Sequence, residues 1–64
     1  MLSSKGTRVR VIKCTPSDVV DGVRGDDEGV IVGRDGVHFF NVKLDRTGEV
    51  HPFYPDQLKV LHDA

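Results

Sequence analysis

The feature that most constrains this 64-residue chain is the way glycine and proline punctuate short runs of β-branched and aromatic residues. After Gly6, Val9 and Val11 alternate with Arg8 and Arg10, the period-two pattern of a strand with one buried face. Val30-Ile31-Val32 lies between Gly29 and Gly33 and predicts a short, wholly apolar strand over 29–34. Asp35-Gly36 then signals a hairpin, because a two-residue type I′ turn needs positive φ at both central positions. The run 37–44 predicts the next strand, with His38, Phe40, Val42 and Leu44 on the core face and Val37, Phe39, Asn41 and Lys43 opposite. Asp45-Arg46-Thr47-Gly48 predicts a four-residue turn, and 49–53 the strand that pairs back. Pro52 has no N–H to give a ladder, which puts that strand at an edge or a bulge. Pro55-Asp56-Gln57-Leu58 fits one 3₁₀ turn, and Lys59-Val60-Leu61 a short last strand.

Two places break this rhythm. Ile12 follows Val11 without alternation, and a bulge there would turn both Ile12 and Cys14 inward. The segment Thr15 to Glu28 holds Pro16, Gly22, Gly25 and five acids, and reads as a long, solvated loop between the first two strands. Thr15-Pro16-Ser17-Asp18 suits a single helical turn with proline near its first position. Val19, Val20 and Val23 predict that the loop docks in part on the sheet. Loops of this length are usually functional or disordered. Residues 1–5 are expected to be a disordered N-terminus, 6–61 one domain, and 62–64 a frayed end.

A domain of this size buries only about 60% of the surface its unfolded chain exposes, so a homo-oligomer is one way of supplementing its core. The single Cys14 rules out an internal disulfide and suits a reducing compartment. No apolar run nears the roughly 20 residues of a membrane span, and Met1-Leu2-Ser3-Ser4-Lys5 has no apolar stretch of signal-peptide length. The expected setting is the cytoplasm, with no membrane partner. Nine basic against ten acidic residues leave a net charge of −1, which is not the balance of a protein held to nucleic acid by bulk charge. The charges are segregated nonetheless: Lys5, Arg8, Arg10 and Lys13 load the first strand, and Asp18, Asp21, Asp26, Asp27 and Glu28 the loop after it. Strand and loop then solvate each other, or the basic strip meets an anionic partner.

Taken together, the runs from Gly6 to Leu61 resemble the SH3-like barrel class: all-β, five strands, a long loop between strands 1 and 2, and a 3₁₀ turn before the last strand. Three families within it share fragments. Val9-Arg10-Val11-Ile12 with Gly22, Gly25 and Gly29-Val30 is similar to the KOW type, which implies binding to RNA or to a transcription or ribosomal complex. Gly6-Thr7-Arg8-Val9-Arg10, Gly29-Val30-Ile31-Val32-Gly33 and Val50 through Tyr54-Pro55 resemble the plasmid-type (type II) dihydrofolate reductase, a tetramer. Where that family has a Val-Gln-Ile-Tyr run in its pore, this chain has Val50-His51-Pro52-Phe53-Tyr54, and only Tyr54 carries over. The opening Gly-x-x-Val-x-Val and the closing apolar pair are also similar to small bacterial and phage SH3-like subunits, such as the photosystem I barrel subunit, which implies docking in a larger complex.

Few residues suggest chemistry. His38, His51 and His62 with Cys14 are the soft ligands, at no spacing of a metal motif; a half-buried His38 and an exposed His51 are expected instead. Cys14 ends an apolar strand, where an inert thiol is the common case. The acidic loop lacks the ligand positions of a calcium loop, and the glycines form no phosphate-binding pattern. No catalytic residue, cofactor or metal is assigned.

The aromatic surface is the stronger functional signal. Phe39 is expected to face outward, and one of Phe53 and Tyr54 must do so by alternation. A non-enzymatic protein-interaction module follows, with Phe39, Tyr54, Pro55, Asp26, Asp27 and Glu28 as its contacts and a partner carrying basic residues. The alternatives are a nucleic-acid binder using Arg8, Arg10, Lys13 and Arg34, and an oligomeric reductase.

Overall fold

The computed structural model describes residues 5–61. The expected disordered and frayed ends, apart from Lys5, and His62 among the soft ligands, lie outside these residues. Five strands form one antiparallel sheet in the order β4-β3-β2-β1-β5: β1 (Arg8–Val11), β2 (Glu28–Asp35), β3 (Phe39–Leu44), β4 (Val50–Phe53) and β5 (Leu58–Val60). One short helix, α1 (Pro16–Val20), lies in the loop after β1, and a 3₁₀ turn (Pro55–Gln57) leads into β5. The chain is all-β, with the loop and the 3₁₀ turn where the sequence puts them.

The core is the inward face of these strands. Val9 and Val11 of β1, Ile31 of β2, Val42 and Leu44 of β3 and Phe53 of β4 are all but completely buried, with Phe40 and Leu58 at the rim. Val23 joins them from the loop, so the loop docks through one valine, while Val19 and Val20 stay exposed. Gly29 lies opposite Val9 on one side and Leu44 on the other, and a Cβ added there would run into the β3 backbone.

Three local expectations need correction. The hairpin between β2 and β3 has a three-residue loop, 36–38, because Asp35 pairs directly with Phe39. Gly36 has φ +70°, but Asp35 is not left-handed, so this is not a type I′ turn. His38 consequently sits exposed in that loop and not on the core face. Ile12 is also outside, 49% exposed, because β1 ends at Val11 with no inward bulge and the Ile12 N–H donates to the Gln57 carbonyl. The observed bulge is in β2, where the pairing with β3 shifts between Ile31 and Gly33 and leaves Val32 as the extra residue.

Pro52 costs the sheet nothing. The Leu44 N–H donates to the Glu49 carbonyl, and the register then makes Val42·His51 and Phe40·Phe53 the hydrogen-bonding rows. The Asn41·Pro52 row lies between them, so the proline nitrogen faces away from β3 toward the free edge. The next backbone group on that edge, the Tyr54 N–H, is taken by Gln57 Oε1 at 2.9 Å. The β4 edge therefore offers little to a pairing strand.

Candidate interaction surface

One row beyond Phe40·Phe53, the register brings Phe39 and Tyr54 side by side on the outward face. Their ring centroids are 4.5 Å apart and their planes tilted by 37°. Phe39 is half-buried and Tyr54 is 47% exposed, while Phe53 is sealed inside. Pro55 continues from Tyr54 on the surface, and the exposed carboxylates of Asp35 and Asp56 flank the pair in register and in sequence. Neither carboxylate forms an ion pair among the described residues. Arg34 is exposed at the opposite end of the Phe40·Phe53 row, its guanidinium 5.5 Å from the Phe40 ring centroid.

The long loop is tied to the Tyr54–Pro55 turn by Gln57, a buried side chain. Its amide nitrogen donates to the Lys13 carbonyl and to Asp18 Oδ2, each at 2.9 Å. Asp18 is held for this by the helix cap: its carboxylate accepts the Thr15 N–H while the Thr15 hydroxyl accepts the Asp18 N–H. The start of the loop is thus tied to the turn that follows Tyr54. No simple pattern signals Gln57, because its partners lie 39 and 44 residues away.

The acidic contacts separate into different roles. Asp26 is exposed, with φ +71°, and its N–H closes on the Val11 carbonyl. Asp27 is not a solvated loop acid: it is buried and takes Arg46 on both oxygens, at 2.9 and 2.8 Å, and the Arg24 N–H as well. Arg46 also reaches the Gly22 carbonyl, so the β3–β4 turn clamps the loop. Hydrogen bonding to Arg46, opposed in part by burial, holds the Asp27 carboxyl below the usual carboxylate range.

A carboxyl whose folded pKa is depressed stabilises the fold above its unfolded pKa, and the effect is lost as pH falls through the folded pKa. Asp27→Asn should therefore destabilise by about 1–2 kcal/mol at pH 7, discounted because Arg46 keeps 39% side-chain exposure. The gap to the parent should shrink below about pH 4. Denaturant melts across pH 2–7 measure this; a gap independent of pH would contradict it.

Two of the four basic residues expected to contact nucleic acid are engaged. Arg8 donates to Asp45 at 2.6 Å and to Glu28 at 3.4 Å, and Arg10 donates to Glu28 at 3.0 Å. Glu28 and Asp45 are held below their ordinary range first by these hydrogen bonds. Strand and loop solvate each other at this end, which leaves Lys13 and Arg34 as the exposed members of the proposed nucleic-acid set. The histidines exchange their expected places: His38 is exposed, while the His51 side chain keeps only 14% exposure and its Nε2 lies 3.2 Å from Glu49 Oε1. Cys14 packs half-buried against the core, and burial pushes its thiol pKa up, the opposite of nucleophile activation. Among the described residues no three His, Cys, Asp or Glu side chains converge as metal ligands, and no helix is long and apolar enough to cross a membrane.

The chain matches no protein-family model, no curated protein and no solved structure.

Proposed function

We propose that this chain is a non-enzymatic, SH3-like interaction module, or a small subunit of a larger complex, acting in the cytoplasm. The strand order, the long loop after β1 and the 3₁₀ turn before β5 support the SH3-like reading. One observation carries the function: a tilted aromatic pair in contact, Phe39–Tyr54, stands outside a core that Phe40 and Phe53 already complete. Aromatic rings with exposed area and no packing duty are the common anchors of protein interfaces. Asp35 and Asp56 give the surface a negative margin, which favours a partner that presents a basic group. Of the loop acids, Asp26 is free to add to that margin, whereas Asp27 and Glu28 hold the loop and β1 in place.

Tyr54→Ala should weaken partner capture at least tenfold while lowering the unfolding midpoint by no more than about 8 °C, and Lys13→Ala should leave capture unchanged. Capture insensitive to Tyr54→Ala and Phe39→Ala would remove this surface from the function. The nucleic-acid alternative has less support because Arg8 and Arg10 are already paired. It requires binding to an oligonucleotide that falls steeply with salt.

A further inference from the structure

The outward face of β2, β3 and β4 continues past the aromatic pair. In register rows it carries Asp35, Phe39 and Tyr54, then Gly33, Asn41 and Pro52, then Val30, Lys43 and Val50. Val32, Val50 and Tyr54 on it are 40%, 51% and 47% exposed, and Pro52 is exposed as well. The face is polar in its charge. One end has Asp35 and the other has Lys43, both exposed and neither in an ion pair among the described residues.

Gly33 lies in the middle row. Its φ is not left-handed, and a Cβ added there would meet nothing within 4 Å. It is the residue after the β2 bulge, where a glycine is common, and it leaves the middle of the face without a side chain.

We propose that this face docks a second copy of the chain, face to face, about a two-fold axis that crosses the strands at the Gly33–Asn41–Pro52 row. This rests on the reading of Tyr54–Phe39 as a contact surface and names its occupant. Such an axis lays the acidic end of one copy on the basic end of the other, so Asp35 lies one strand spacing across from the partner's Lys43, within reach of that long side chain, at both ends and the patch is self-complementary. The apolar residues of the middle and outer rows meet one another, and the missing side chain at Gly33 lets the sheets approach. Pairing at the β4 edge does not compete, because Pro52 and the Gln57 side chain blunt it. Three short strands make a footprint below the roughly 800 Å² per partner of a standard interface, so dissociation in the micromolar range is expected.

Sedimentation equilibrium of the purified chain from micromolar to millimolar concentration tests this. A dimer is expected, weakened at least tenfold by Asp35→Lys and likewise by Lys43→Glu. Mixing those two variants should restore association, because each reversed charge then faces its complement. Gly33→Glu should abolish the dimer with the monomer's unfolding midpoint little changed. A chain monomeric throughout, or a dimer indifferent to both reversals, overturns the proposal. If the chain is monomeric but Tyr54→Ala still loses another protein, the interaction surface stands without the dimer. If Tyr54→Ala affects neither, both fall.

Discussion

Gly29→Ala is expected to leave little folded protein at room temperature. A Cβ at this position runs into the Lys43 carbonyl oxygen and comes within 2.9 Å of Val42 Cγ1. The carbonyl is backbone in β3 and cannot swing aside, so β2 and β3 must part. Both are interior strands, and β2 also carries β1. Overpacking of this kind costs about 1–3 kcal/mol when side chains can adjust, and more when backbone must move. A chain of this size has only about 3–10 kcal/mol in total. Circular dichroism melts measure the effect, with Gly33→Ala as control, since that Cβ enters open space. A Gly29→Ala protein melting near the parent temperature would show that the strands separate at little cost.

The second large effect divides two neighbouring residues. Phe53→Ala should destabilise by about 3–5 kcal/mol, which is enough to unfold most of the protein. Phe53 is fully buried and among the largest side chains of the core, so its loss leaves a cavity that short, mutually paired strands cannot close. Tyr54→Ala should cost about 1 kcal/mol, mainly the contact with Phe39. Urea titrations of the two variants give the comparison. Equal losses would mean that the aromatic pair belongs to the core, and the interaction surface would then lose its main support.

That separation of Phe53 from Tyr54 was legible in the sequence because strand alternation forces one of any two neighbours outward. The same rule places Val9, Val11, Phe40, Val42 and Leu44 inside. It misplaces His38 because β3 starts only at Phe39, after a loop one residue longer than an Asp-Gly turn implies. Ile12 misleads for a related reason: hydrophobicity alone does not reveal that a strand has already ended. The charged residues were harder still. Composition shows a basic strand and an acidic loop, but which acid is buried depends on Arg46, 19 residues from Asp27 and in another turn. Gln57 is similar, since a lone glutamine carries no periodicity.

The pairing of β1 with β5 sets the order in which this molecule can form. Val9 meets Val60 and Val11 meets Leu58, so the first strand waits for the last. The hairpins β2–β3 and β3–β4 have no such wait and are the natural early structure. Joining distant segments is slow because loop-closure entropy comes before any compensating contact. Gln57 arrives with β5 and bonds to Lys13 and Asp18. These two bonds of the loop therefore depend on the same long-range joining of the chain's first and last strands.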